Sequence, residues 1–387
     1  MKILHVTASY KPAYIYGGPI MSVSALCEAL VENGINVEVL TTTANGSQEL
    51  SVKPGTPEMV NGVPVTYFKR ITKDHTHFSP SLLKNLRAKV KDYDVIHIHA
   101  WWNLVSVFAA LIATRNNVPV ILSPRGTLSY YSFLNRNSFK KRLIHHLLGK
   151  KLLRNCHIHA TAQSEAFAVN KLIKPLSSTV IPNFVKLPCQ LTFKRTFDEA
   201  SPIKLLFFSR IEEKKGLDLL LKALPKLNFQ FSLTIAGTGD PEYIKSLKSL
   251  ISDNNIGQQI SWLGFVTDDK FDVLNDHDLL ILPSYDENFG NVVIESLSVG
   301  TPVLISDKVG LADYVADKDM GWIFKINTDN LSDKLNDICA LYKSKFDVIS
   351  SKAPDIIRDD FNIDKLVSEY LSMYNNIATA PVIQEIA

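Results

Sequence analysis

The stretch "DLLILPSYDENFGNVVIESLSVGTPVLIS", residues 278–306, decides the fold. It opens on an unbroken aliphatic run, 279–282, and closes on another, 303–305. Neither run alternates with polar residues, which marks strands buried on both faces of a parallel sheet. Between them Val292, Val293, Ile294 and Leu297 can supply the buried side of a helix beginning near Gly290. Gly300 falls just past the helix end and Pro302 follows, a strong stop signal. Strand, loop, helix, strand in so short a span is a βαβ unit.

The same alternation runs outward in both directions. Strands are predicted at 3–7, 37–42, 63–68, 95–99, 120–122, 158–160 and 179–181, then at 204–209, 232–236, 260–263, 279–282, 303–305 and 322–324. The two series are separated by "FVKLPCQLTFKRTFDEASP" (184–202), which has little periodicity, prolines and mixed charges, the mark of a linker. The fold class is therefore α/β, doubly wound and parallel, twice over. We place an N-terminal Rossmann-like domain at 1–184, a linker at 185–202 and a C-terminal Rossmann-like domain at 203–361. A tail helix at about 362–380, with Leu366, Val367, Tyr370, Leu371 and Tyr374 at helical spacing, is free to pack on either domain. Two such domains are expected to face a central cleft, and ligands of open α/β sheets bind beyond the carboxyl ends of the strands.

Composition narrows the class. The 387 residues suffice for two cores. Hydrophobic content of 46% and charged content of 21% are those of a globular protein. A net charge of +3 gives no reason to expect nucleic acid. Cys27, Cys156, Cys189 and Cys339 lie far apart without a CxxC, so neither a zinc site nor a disulfide framework is expected, and a reducing cytoplasm is the expected compartment. The N-terminus reads as a first strand and not as a signal peptide. The longest apolar stretch, 105–113, falls far short of the ~20 residues a membrane span needs.

The chemistry-bearing residues cluster at strand ends. In "FFSRIEEKKGLDLLL" (207–221), Arg210 and Lys215 bracket the loop before a helix, and Gly216 lets the backbone turn into it. Two cations beside a helix N-terminus suit a phosphate; the competing reading is solvated surface charge. "LTIAGTGDPEY" (233–243) ends its strand in Gly237-Thr238-Gly239, where glycine allows a sharp turn and a ligand's close approach, or serves an ordinary βα turn. Glu287 lies before the helix of the opening stretch and Glu295 more than a turn inside it. Five to seven helical residues span on the order of 10 Å, about the reach from one end of a sugar diphosphate to the ribose behind it. The plainer alternative is that Glu287 favours the helix dipole and Glu295 faces water. Gly17-Gly18-Pro19 precedes an amphipathic helix after the first strand. "DVIHIHAWW" (94–102) sets His97 and His99 on one face of a strand, with Trp101 and Trp102 beyond. A histidine there serves hydrogen bonding or proton transfer, or is simply a satisfied core group, the reading favoured for His97; a metal pair would lack an acidic or cysteine partner nearby. "ILSPRGTL" (121–128) adds Arg125 beside Gly126. "NSFKKRLIHHLLGKKLLRN" (137–155) reads as a basic helix able to rest on an anionic membrane surface through 139–154, or as an ordinary helix with a charged outer face.

Together and in this order, these motifs resemble the retaining glycosyltransferases of family 4, which have the two-domain GT-B fold. The resemblance covers nearly the whole chain. It rests on Gly17-Gly18, His97-Ile-His99, Ser123-Pro-Arg-Gly126, Ile181-Pro-Asn183, Ser209-Arg210 with Lys215-Gly216, Ala236-Gly-Thr-Gly239, Glu287-Asn-Phe-Gly290 with Glu295, and Gly300-Thr-Pro302. Glu287 and Glu295 form the family's E-x7-E signature, the strongest single match. The chain departs at Phe184, where the family often has glycine after Ile-Pro-Asn, and at Ala100 after His99. The resemblance implies a nucleotide-sugar (UDP- or GDP-sugar) donor on the C-terminal domain and a glycan or lipid-linked acceptor on the N-terminal one, with no metal and no cofactor. The implied donor contacts are Gly17, Gly18, Arg210, Lys215, Gly237, Thr238, Glu287, Asn288, Phe289, Gly290, Asn291 and Glu295. Arg210 and Lys215 would neutralise the diphosphate, Glu287 would touch the transferred sugar, Glu295 the ribose, and His99 would sit near the reacting sugar. Tyr14, Trp101 and Arg125 are placed on the acceptor side. Domain closure would exclude water. Two other functions stay open: a nucleotide-sugar epimerase of the same fold, and a non-catalytic nucleotide-sugar binder. A cytoplasmic enzyme peripheral to the inner face of the plasma membrane is the expected setting.

Overall fold

The computed structural model describes residues 1–134, 149–188, 201–266, 269–340 and 342–379. The chain divides into two compact units, Met1–Phe184 with Ile363–Ala387, and Val185–Asn362. Cys189, much of the aperiodic segment 185–202 and residues 139–148 of the basic helix lie outside the described residues.

The first unit holds β1 (Lys2–Val6), β2 (Asn36–Thr42), the short antiparallel pair β3 (Ala44–Asn45) and β4 (Gln48–Glu49), β5 (Pro57–Val60), β6 (Val63–Phe68), β7 (Val95–His99), β8 (Val120–Ser123), β9 (His157–Ala160) and β10 (Ser177–Val180). Eight of these form one sheet in the order β10-β9-β8-β7-β1-β2-β6-β5, parallel except where β5 meets β6. The antiparallel β5 is absent from the sequence reading. It begins at Pro57 and leaves Met59 66% exposed, so it carries no buried apolar signature, and proline is tolerated because the strand lies at the sheet edge.

Continuous apolar runs have a plain cause here. Neighbouring residues feed opposite cores: Leu4, Ile96, Ile98 and Leu122 pack with the helices Pro80–Lys89 and Leu104–Arg115. Ile3, Val39, Val95 and Ile121 pack on the other face with the helices Gly18–Glu32 and Ile363–Ala378. The tail helix thus completes the first unit's core through Leu366, Val367, Tyr370 and Tyr374.

The second unit holds β11 (Ile203–Phe208), β12 (Phe231–Ala236), β13 (Ile260–Gly264), β14 (Leu279–Leu282), β15 (Val303–Ser306) and β16 (Gly321–Phe324), ordered β13-β12-β11-β14-β15-β16 and parallel throughout. Again the two faces separate: Leu205, Phe207 and Ile281 serve one core, Leu206, Leu280 and Leu282 the other. Each sheet reverses its winding once, between β1 and β7 in the first and between β11 and β14 in the second. In doubly wound sheets the loops leaving the carboxyl ends of such strands diverge to opposite sides, and the crevice between them is where ligands bind.

Candidate functional site

In the second unit the loops after β11 and β14 are laced together by backbone. A Cβ on Gly216 would lie 2.0 Å from the Pro283 carbonyl oxygen, and the residue sits at φ +69°. Only glycine meets both demands. The loops after β11 and β12 are laced the same way: a Cβ on Gly237 would lie 1.9 Å from the Ser209 oxygen, and one on Gly239 1.9 Å from that of Ile211. The glycines of Ala236-Gly-Thr-Gly239 therefore admit a neighbouring loop, where the sequence suggested a ligand's close approach. Thr238 is exposed, and its carbonyl accepts from the Ile211 amide at 2.8 Å.

This lacing brings Lys215 and Glu287 together. Lys215 ends the 3-10 turn Glu213–Lys215, is 7% exposed and pairs with the Glu287 carboxylate. Glu287 is itself held by backbone: its amide donates to the Lys308 carbonyl at 3.1 Å, and its carbonyl accepts from the Gly310 amide at 2.8 Å. Burial alone would raise the Glu287 pKa, yet Lys215, Lys214 and Arg210 together hold it below the ordinary value. Glu287 is thus a fixed anion among three cations. Arg210 is more exposed and pairs with Glu212 at 2.5 Å.

The helix after this loop runs Asn291–Ser298, and Gly290 precedes it in the left-handed region at φ +93°. Its first-turn amides and dipole favour an anion. Phe289 is 2% exposed and packs against Phe361 at 6.2 Å between ring centroids, so only its backbone faces the loop. Asn288 and Asn291 are half-buried on either side. Glu295, a turn further on, accepts a 2.7 Å hydrogen bond from Lys270, a cation the sequence reading missed. Lys270 carried no signal because it lies after a different strand, and only the fold brings it to Glu295. Arg210, Lys215, Gly237, Glu287 and the helix bearing Glu295 all issue from the carboxyl ends of adjacent strands around the β11–β14 reversal.

The first unit carries a polar layer inside one of its cores. β1 and β7 pair His5 with His97 in register, and β7 and β8 pair His99 with Ser123. His97 is spent internally: Nδ1 meets the Tyr374 hydroxyl at 2.7 Å and Nε2 meets Ser123 Oγ at 2.7 Å. His159 meets the same Ser123 at 2.6 Å and Tyr370 at 3.1 Å. In sequence the two tyrosines read only as the apolar stripe of the tail helix; their hydroxyls serve buried histidines. Ring nitrogens of His5, His97 and His99 lie within 4.8 Å of one another, close enough to hold an ion, but hydrogen bonds occupy both nitrogens of His97 and of His99.

His99 departs from the expected role. It is 1% exposed, accepts at Nδ1 from Arg125 Nε at 3.2 Å, and meets His5 Nδ1 through Nε2 at 2.9 Å. A guanidinium can only donate, so His99 must be neutral with its proton on Nε2. Burial, then the charge of Arg125, holds its pKa well below the ordinary value. Its ring positions Arg125 and has no face left for substrate. Trp101 is also corrected: it is fully buried in the core, so it lines no acceptor site. Tyr14, in contrast, is 47% exposed in the turn Tyr14–Tyr16, followed by Gly17 at φ +67° and the exposed Gly18 that opens the helix Gly18–Glu32. Arg125 joins three of the sequence motifs, donating also to Ser22 at 2.8 Å and to Asn183 at 2.9 Å.

Two Rossmann-like units, one of them with Arg210, Lys215 and Glu287 gathered at its winding reversal, define the class of the GT-B transferases. Sequence comparison agrees across most of the chain: residues 16–187 match the model of glycosyltransferase family 4, and residues 191–351 that of glycosyl transferases group 1. The chain belongs to this family of glycosyltransferases. An uncharacterized glycosyltransferase of Methanocaldococcus jannaschii is 24% identical over 408 residues, 97% of this chain and 98% of that one. The phosphatidyl-myo-inositol mannosyltransferase of Mycobacterium leprae is 24% identical over 380 residues, 94% of each. Among solved structures, Anabaena HepE in complex with UDP superposes with a TM-score of 0.74 at 19% identity, covering 97% of this chain and all, 100%, of HepE; at that identity it speaks for the fold alone.

Proposed function

We propose that the protein is a retaining, metal-independent glycosyltransferase that moves a hexose-type sugar from a UDP- or GDP-sugar to a glycan or lipid-linked acceptor, in the synthesis of a cell-surface polysaccharide or glycoconjugate. The observation that carries the reading is the Lys215–Glu287 pair fixed at the winding reversal of the second unit, with Arg210 beside it. Cleaving a sugar–phosphate bond puts negative charge on the leaving diphosphate and positive charge on the anomeric carbon. Lys215, Arg210 and the N-terminus of the helix Asn291–Ser298 would meet the first charge; Glu287, kept ionised by the same cations, would meet the sugar. Glu295, held by Lys270, would take the ribose hydroxyls. No carboxylate is placed as a nucleophile in this reading, so attack would come from the face the leaving group departs, with a phosphate oxygen taking the acceptor proton.

The relatives are consistent with this scheme: HepE was solved with UDP, and the M. leprae relative is named for mannosyl transfer to phosphatidyl-myo-inositol. Among the described residues no helix is long and apolar enough to cross a membrane. We place the enzyme at the inner face of the membrane through its basic segment 139–154, of which Lys150–Arg154 form a described helix. Co-sedimentation with anionic vesicles should fall when Lys140, Lys141 and Arg142 are neutralised; unchanged binding would remove this part.

Transfer itself is tested by following a donor sugar with NMR, with and without a saccharide acceptor. The proposal expects consumption that depends on acceptor, with the anomeric configuration kept. Isomerisation of the donor alone would point to the epimerase instead.

A further inference from the structure

Among the described residues Arg125 is a cation in no ion pair. It follows β8 in the left-handed region, at φ +51°. Nε donates to His99 Nδ1, and Nη1 donates to Ser22 Oγ and Asn183 Oδ1. All three acceptors are neutral. Glu165, the nearby carboxylate, makes no ion pair with it: its oxygens accept from the backbone amides of Gly126 at 2.7 Å and Thr161 at 2.9 Å, and its charge acts on Arg125 from a distance. Among the described residues no carboxylate pairs with Arg125, and Nη2 makes no hydrogen bond. The residue lies deep enough for burial to lower its pKa, yet it is half-buried and not enclosed.

Charges removed from water are ordinarily paired, because an unpaired one costs several kcal/mol. This one is held rigid by three hydrogen bonds and left unpaired, with part of its fork unspent. An arginine fork matches the oxygens of a carboxylate or phosphate. The location agrees. His99 ends β7, beside the β1–β7 winding reversal, and Ser22 lies in the first turns of the helix Gly18–Glu32, where the dipole also favours negative charge.

We infer that Arg125 is an oxyanion site, and that its ligand is a carboxylate or phosphate group carried by the saccharide acceptor. The oxyanion half stands on the geometry alone; the acceptor half rests on the reading that the first unit takes the acceptor. His5, His97, His99 and His159, all buried and neutral, supply no competing anion, and the neutral His99 is what allows the guanidinium to dock against the strand end.

The test is the Nε–H resonance of Arg125 in the full chain, identified by its loss in Arg125→Lys and titrated with glucose 6-phosphate, glucuronate and glucose at matched ionic strength. Both charged sugars should move it saturably, and glucose should not. Asn183→Asp, which places a carboxylate beside the guanidinium, should weaken the response about tenfold and serves as the second variant if Arg125→Lys does not fold. A resonance indifferent to both charged sugars overturns the site. UDP binding to Arg125→Lys within about twofold of wild type supports an acceptor ligand; a loss of about tenfold, with UDP moving the resonance, assigns the oxyanion to the donor diphosphate and overturns the acceptor half. If the chain transfers no sugar but the resonance still moves with charged sugars, the oxyanion site stands and the acceptor assignment falls with the transferase reading.

Discussion

Lys215 and Glu287 show what a single residue does at this site. Lys215→Ala would leave Glu287 a buried anion with less neutralisation, so two effects are expected. Donor turnover or affinity should fall by one to three orders of magnitude, roughly 1–4 kcal/mol. The folded second unit should also lose stability, because an ion pair broken on one side costs about 3–5 kcal/mol when buried. Arg210→Ala should show the first effect with little of the second, since Arg210 is 39% exposed. Steady-state kinetics beside denaturant midpoints separate the two; wild-type rates in both variants would refute the donor cradle. Glu287, both cations and the glycines were legible in the sequence because they fall in short loops after recognisable strands, and Glu295 because it lies on the helix that follows one of those loops. Lys270, Ser22 and Asn183 were not seen as partners, since each meets its target across long sequence separation. His99 and Trp101 were misplaced for another reason: a strand-end position in sequence says nothing of which core the side chain enters. Here both turn inward, and between them Ala100 sits in the left-handed region at φ +62°.

At the scale of the element, the site is a property of loops held in contact by missing side chains. Gly216→Ala meets both an unfavourable φ and the Pro283 carbonyl, whereas Gly264→Ala meets an unfavourable φ of +76° and open space. The first substitution should cost clearly more, at least about 2–3 kcal/mol against about 1 kcal/mol for the second, read as shifts in unfolding midpoint. Equal shifts would show that the lacing is not what fixes the loop. Most of the strands were readable in sequence because they are continuous apolar runs, the central ones buried on both faces; β5 was not, because an edge strand with exposed side chains has no such pattern. The tail helix was readable as a helix, but its attachment was not. Tyr370 and Tyr374 choose the first unit by supplying hydroxyls to His159 and His97 as well as apolar surface.

For the whole molecule, the buried histidines make the first unit acid-sensitive. Burial lowers His5 and His159 to about 3 and takes His97 and His99 well below the ordinary value. In the unfolded chain the same groups bind protons near pH 6.5. Between those limits the unfolded state holds more protons, so stability is full above about pH 6.5 and is lost as pH falls through that value, by about 1.4 kcal/mol per pH unit for each histidine. Glu287, whose pKa is lowered, contributes stability that is lost only further down, as pH falls below about 4.3, the unfolded value. Hydrogen exchange between pH 7 and pH 5 should therefore show protection lost in β1, β7 and β9 well before β11 and β14. Simultaneous loss in both units would contradict this.

Cradling of a nucleotide diphosphate between Arg210, Lys215 and the helix Asn291–Ser298 is the core of the proposed function. It is tested most directly by calorimetric titration of whichever of UDP, GDP and ADP stabilises the wild-type chain against heat, repeated on Lys215→Ala and on Glu295→Ala. Binding to the wild type and a loss of at least about tenfold in each variant are expected. Wild-type affinity in both variants, or a wild-type chain that binds none of the three, would contradict it.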